Sequence, residues 1–312
     1  LADGWRDFAG TGDEAVADLV REDRVDILAD LPGHTAYNRL SVFARKPAPI
    51  QLTFLGRGTT TGLSAIDYRL TDRLLSPPDS PEWFSEGPFF LPACSHCYRP
   101  PDGAPRVTPL PASRSGHITF GSFNSHAKLN PSVIRTWARI LQALPKGRLV
   151  LKDRTLADAA QQRSVFELFA RRGLAAHRLT LLPQTGAHVD HLRLYAQIDI
   201  ALDPFPYNGC TTTCEAIWMG VPVITLAGSM SFGRHGASLL PTLGLVTLVT
   251  STPEAYVTQA VDLAARLDEL AALRRTLRPQ MAASPLCDAD TFARNVEQAY
   301  RLMWRRWCQQ GE

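Results

Sequence analysis

Thr211, Thr212 and Thr213 follow Asn208-Gly209-Cys210 directly and lead into Cys214-Glu215-Ala216-Ile217-Trp218-Met219-Gly220. The apolar run from Ile198 to Asp203 reads as a buried strand before them. Val221-Pro222-Val223-Ile224-Thr225-Leu226 resumes as strand after them. Strand, glycine-containing turn, helix, strand is the geometry of an anion site, because the first helical turn carries unpaired N–H groups and the positive end of the helix dipole. Three hydroxyls there can add hydrogen bonds to a phosphate, and Glu215, within about one turn, can accept from a sugar hydroxyl. The pattern offers a site for a nucleoside diphosphate. One threonine would mean little, since Thr is a routine N-cap. Three in a row after a glycine are more than a cap needs.

Other residues gain meaning beside that motif. Lys128, in Phe123-Asn124-Ser125-His126-Ala127-Lys128, lies between a strand and a helix, where it can reach a diphosphate and neutralise charge on a leaving group. Alone it would read as an exposed lysine; the threonines favour the functional reading. His188 and His191 open a helix, and His191 can stack on a base, with a polar helix start as the alternative. Gly33-His34-Thr35 follows a strand end, which makes His34 a candidate for the facing wall of a cleft. Cys94-Ser95-His96-Cys97 is the only ligand-like cysteine spacing. A structural zinc site needs a second half-site, and none is found, so these cysteines read as loop packing and no metal is expected.

The elements that must position these groups alternate strand and helix. Strands are expected near 25–31, 50–56, 68–71 and 89–91, with a helix over 14–21. A Pro-rich linker runs from Arg99 to Gly116. Beyond it, strands near 118–123, 147–152, 178–182, 198–203 and 221–226 alternate with helices over 131–144, 156–172, 188–197 and 236–243, and a helical tail starts at Pro253. This argues for a parallel sheet covered on both faces, with ligands beyond the carboxyl ends of the strands. The segments Gly121–Lys128 and Tyr207–Glu215 both lie past strand ends and can meet in one crevice. The last helix, from Asp288, carries Phe292, Tyr300, Trp304 and Trp307, which read as packing residues.

With 312 residues, 45% hydrophobic and 20% charged, the composition is that of an α/β protein of two domains. A net charge of +3 is too small to argue for nucleic acid. No apolar segment reaches transmembrane length and no signal peptide opens the chain. Six cysteines in such a chain favour reduced thiols and a cytoplasmic setting. Starting at Leu1, the chain reads as a piece of a longer protein.

From about Trp5 to Cys308 the ordered motifs resemble the O-GlcNAc transferase and SPINDLY group, glycosyltransferase family 41. They include Asp26-Ile27-Leu28, Gly33-His34-Thr35, Thr60-Thr61-Gly62, Ile66-Asp67-Tyr68-Arg69-Leu70-Thr71-Asp72, Phe120-Gly121-Ser122-Phe123-Asn124, Asp203-Pro204-Phe205-Pro206-Tyr207 and Ser284-Pro285-Leu286-Cys287-Asp288. The resemblance implies a GT-B fold of two Rossmann-like lobes. Residues 1–110 would be the acceptor-side lobe, incomplete at its N-terminus, plus linker; residues 111–312 would be the donor lobe with the C-terminal helix. It implies metal-independent, inverting transfer of a sugar to Ser or Thr of proteins, with no cofactor, and tetratricopeptide repeats in a longer parent. Lys128 would hold the diphosphate, Thr211 and Thr212 the phosphates, Glu215 the ribose and His191 the base. Asn124 and Thr213 join the donor side, His34, Thr60 and Thr61 the acceptor side, and Asp23 is a candidate proton relay. The expected reaction is transfer of GlcNAc from UDP-GlcNAc; the spelling Thr-Thr-Thr-Cys-Glu is similar to the SPINDLY branch, whose plant members use GDP-fucose, which makes GDP-fucose the alternative donor. Gly56-Arg57-Gly58 stands where the family usually has Gly-Tyr-Pro. A nucleotide-sugar epimerase or hydrolase of the same fold, and a donor-binding module without activity, are the competing readings.

Overall fold

The computed structural model describes residues 3–56 and 58–310; Arg57 of the Gly56-Arg57-Gly58 loop lies outside them. The chain forms two compact units, residues 1–95 with 290–312, and residues 96–289.

The first unit contains α1 (Asp13–Glu22), β1 (Ile27–Asp30), α2 (Leu40–Phe43), β2 (Ile50–Thr53), β3 (Tyr68–Thr71) and β4 (Gly87–Phe90). Its four strands are parallel and adjacent in chain order. The second unit contains α3 (Ala112–Ser115), β5 (Thr119–Ser122), α4 (Pro131–Ala143), β6 (Arg148–Lys152), α5 (Ala159–Ala170), β7 (Leu179–Leu182), α6 (His188–Arg193) and β8 (Ile200–Leu202). It continues through α7 (Thr211–Trp218), β9 (Val223–Leu226), α8 (His235–Thr242), β10 (Val249–Thr250), α9 (Pro253–Ala265) and α10 (Leu267–Ala282), and α11 (Ala289–Gln310) ends the chain.

Six parallel strands of the second unit lie in the order β10-β9-β8-β5-β6-β7. The chain starts in the middle at β5, winds outward to β7, then returns to β8 and winds the other way. Right-handed crossovers in opposite directions put their helices on opposite faces, which leaves a crevice where β5 and β8 pair, Phe120 against Ile200 and Gly121 against Ala201. The strands at this switch are buried along their whole length, as a sheet covered on both faces requires. A Cβ on Gly121 would fall 2.2 Å from Ile198 Cδ1, so a larger residue here would force the buried Ile198 side chain to move. α4 buries Val133, Ile134, Trp137, Ala138, Ile140 and Leu141, a stripe at helical spacing. Asn130 caps it by accepting from the Ser132 and Val133 amides.

The C-terminal helix departs from the sequence expectation, which grouped it with the second lobe. Phe292, Val296, Tyr300 and Trp304 of α11 pack with Ala299 and Met303 onto Ile50, Leu52, Leu70, Phe89 and Leu91 of the first unit. Phe54 stacks on Phe292 at 6.2 Å, and Trp307 is 43% exposed against Trp304. An apolar stripe on one helix face seeks an uncovered sheet face, and chain order says nothing about which sheet supplies it.

Candidate functional site

The crevice between β5 and β8 gathers the sequence-predicted residues of the second unit. Lys128 Nζ donates to the Asn208 carbonyl at 2.8 Å and to Asn124 Oδ1 at 3.1 Å. Thr212 Oγ1 donates to the same Asn124 Oδ1 at 3.1 Å. The loop after β5 and the start of α7 are thereby tied at one amide oxygen. The Lys128 ammonium also lies 4.6 Å from the centre of the Tyr207 ring. Burial pulls Lys128 below the ordinary lysine value, while Asp203 and Cys210 act in the opposite sense.

Asp203 builds the turn between β8 and α7. Its Oδ1 accepts from the Gly209 amide at 2.6 Å and its Oδ2 from the Thr225 hydroxyl at 2.7 Å. Full burial raises its carboxyl to about 7 against these two hydrogen bonds and the nearby Lys128. A Cβ on Gly209 would lie 2.5 Å from Thr212 Oγ1, 2.9 Å from Asn124 Oδ1 and 3.1 Å from Asp203 Oδ1. Gly209→Ala is therefore expected to cost about 1–3 kcal/mol by overpacking and to pry Thr212 from Asn124. Thermal melts and titration with a nucleoside diphosphate test this; affinity equal to the wild type would show that the Thr212–Asn124 contact takes no part in nucleotide binding.

The three threonines separate. Thr213 is buried and its hydroxyl donates to the Gly209 carbonyl at 3.1 Å, so it braces the turn rather than facing a ligand. Thr211 is exposed and Thr212 half-buried at the first turn of α7, where N–H groups lack helical partners.

Glu215, one turn on, is buried and holds two histidines. His188 Nε2 lies 2.7 Å from its Oε1 and His191 Nε2 3.0 Å from its Oε2. Lys152 Nζ lies 2.8 Å from His191 Nδ1. An ammonium only donates, so Nδ1 must accept and Nε2 carries the proton given to Glu215. Burial acts to raise the Glu215 carboxyl, but the hydrogen bonds from His191 and His188 outweigh it and hold the group below its ordinary value. Phe123 lies 5.5 Å from His191 and 4.6 Å from Tyr195, ring centre to ring centre. These groups open on a cavity of 590 Å³ lined by Phe123, Lys152, Gln184, His188, His191 and Glu215, a volume suited to a nucleoside.

The candidates of the first unit form a separate group. His34 Nε2 lies 3.0 Å from the Thr60 carbonyl oxygen. The Thr60 hydroxyl donates to Glu86 Oε2 at 2.9 Å, and the Thr61 amide and hydroxyl both donate to Glu86 Oε1. Asp23, at the end of α1, instead pairs with Arg6. Lys152, Asp203 and Glu86 were not picked out as site residues from sequence. A lysine closing the apolar run Leu149-Val150-Leu151 at a strand's carboxyl end was a usable signal for Lys152. The spacing of His188 and His191, which puts both on one helix face, was another.

Two units, each built on a parallel sheet, the second doubly wound with an open crevice at its switch point, are the architecture of a GT-B glycosyltransferase. The chain belongs to glycosyl transferase family 41, whose model matches residues 8–97 and 110–296. It is 48% identical over 304 residues to "Probable UDP-N-acetylglucosamine--peptide N-acetylglucosaminyltransferase SPINDLY" of Oryza sativa subsp. japonica, covering 97% of this chain and 33% of that protein. Among solved structures it is similar to an O-GlcNAc transferase mutant of Thermobaculum terrenum, with TM-score 0.94 and 40% identity over 100% of this chain and 59% of that one. A trehalose-6-phosphate synthase shares the fold alone, at TM-score 0.51 and 13% identity over 98% of this chain and 80% of that one. The chain spans about a third of the length of the curated relatives it matches.

Proposed function

We propose that this chain carries the donor-binding and transferring part of an inverting protein O-glycosyltransferase, which moves N-acetylglucosamine from UDP-N-acetylglucosamine to serine and threonine hydroxyls. The observation that carries the reading is the meeting of Lys128, Asn124 and Thr212 beside the Glu215–His191 pair, a diphosphate clamp next to a nucleoside cavity. The acceptor oxygen bonds to the anomeric carbon while the bond from that carbon to the β-phosphate oxygen breaks. The electron pair leaves with UDP, and Lys128 and the start of α7 take up the developing charge. The hydroxyl proton passes to a base, for which Asp23 is our candidate on the family resemblance. No step uses a metal or cofactor.

The names of the SPINDLY relatives specify UDP-N-acetylglucosamine and favour it over GDP-fucose. Acceptor capture would fall to tetratricopeptide repeats of a longer parent chain. The cytoplasmic setting proposed here rests on the six cysteines read as reduced thiols; separately, no helix among the described residues is long and apolar enough to cross a membrane. The test is a thermal-shift comparison followed by transfer of labelled sugar to a Ser/Thr peptide. At about a hundredfold excess over Kd, UDP-N-acetylglucosamine should stabilise the fold by about 2.7 kcal/mol, and GDP-fucose should not. Sugar released without acceptor would instead mark a hydrolase or epimerase, and binding without transfer a binding module.

A further inference from the structure

Within the second unit, metal-binding atoms gather around His96, which lies between Cys94 and Cys97 in the chain. His96 meets His235 of α8 with ring centres 5.2 Å apart and planes at 79°. Cys210, directly before α7, joins them: one ligand atom from each of His96, Cys210 and His235 lies within 4.8 Å of the other two. The three come from the segment just before the Pro-rich linker, the turn after β8 and the first residue of α8, 114 and 25 residues apart in the chain, so no local spacing announces them. His235 is buried and the other two are half-buried, which holds the group on packed elements while leaving a route from solvent.

We propose that His96, Cys210 and His235 form a three-ligand site for a zinc-class transition-metal ion. A thiolate with two imidazoles is a donor set of zinc and cobalt chemistry and unsuited to magnesium or calcium, which take oxygen ligands. Zinc bonds of about 2.3 Å to sulfur and about 2.0–2.1 Å to nitrogen place tetrahedral ligand atoms roughly 3.5 Å apart. Closing from the present separations asks for side-chain adjustment of about an ångström. On binding, the Cys210 S–H bond breaks, a sulfur–metal bond forms and the proton goes to solvent, so affinity falls in acid. Three protein ligands leave a fourth position for water or an anion. Cys210 adjoins Thr211, so the ion would stand at the foot of α7, yet the transfer proposed above does not pass through it. The inference is independent of that reading, and its test uses no nucleotide.

The test titrates the metal-stripped chain with Co²⁺, then competes with Zn²⁺. One equivalent of cobalt should give a thiolate-to-cobalt charge-transfer band and tetrahedral ligand-field bands, both removed by zinc. Cys210→Ser should abolish the charge-transfer band. His96→Ala, at a half-buried position that the fold tolerates better than His235, should weaken binding at least about a hundredfold, since even losing a partner of a ligand costs 10–100-fold. Cys97→Ser and Cys308→Ser should leave both unchanged. Absence of the band in the wild type, or its survival in Cys210→Ser with an unchanged melting curve, would overturn the proposal and leave the three residues as packing.

Discussion

Replacing Lys128 with methionine is expected to lower turnover in the proposed transfer by about 10²–10³, the usual effect of removing one preorganised group that faces developing charge. The side chain is held by the Asn208 carbonyl and Asn124 Oδ1 and is already pulled below the ordinary lysine value by burial. A partly desolvated ammonium held by two neutral acceptors and the Tyr207 ring, with Asp203 and Cys210 offsetting only part of its burial, is incompletely compensated without a ligand, and a diphosphate would supply further negative charge. Folding should respond in the opposite sense. Methionine keeps the apolar stem and removes the desolvation cost, so the melting temperature should hold or rise. Single-turnover transfer measured beside a thermal melt separates the two effects. A variant that melts as the wild type and still turns over at its rate would remove Lys128 from the leaving-group clamp.

Much of the architecture was legible because strands buried on both faces write continuous apolar runs. β3 falls at the expected Tyr68–Thr71, and the alternation from β5 to β9 follows the expected order. The meeting of Lys128 and Thr212 at Asn124 was legible too, since the connections that carry them leave the adjacent strands β5 and β8. What the sequence did not disclose were contacts set by side-chain direction across distant elements. Three threonines look alike in the chain, yet the turn of α7 points Thr213 into the core and leaves Thr211 exposed. Glu215 read as one ribose acceptor, whereas the fold brings His188 and His191 to its two oxygens and Lys152 behind them. The two-residue β10 and the short α2 and α3 left no periodicity to read. Adjacency in the chain misassigned α11, whose stripe fits the sheet of the first unit.

Glu215→Ala should raise the KM for the nucleotide sugar about ten- to a hundredfold with a smaller change in kcat. In our reading it accepts from the ribose, far from the bond that breaks. Each carboxylate oxygen is engaged by one histidine nitrogen and keeps a second lone pair for a sugar hydroxyl. A hydrogen bond to a charged group is worth about 1.5–3 kcal/mol, which sets that range. The variant also carries a pH signature. Burial alone would raise the carboxyl, but His191 and His188 hold it below the ordinary 4.5. The unfolded chain then takes up a proton at higher pH than the folded one. The contribution of Glu215 to stability is complete above 4.5 and is lost as pH falls through the lower folded value. Melting temperatures of the wild type should therefore drop more steeply in that acid window than those of Glu215→Ala. Parallel acid limbs together with an unchanged KM would remove Glu215 from nucleotide binding, because the cavity would then lose nothing when this buried carboxylate is taken away.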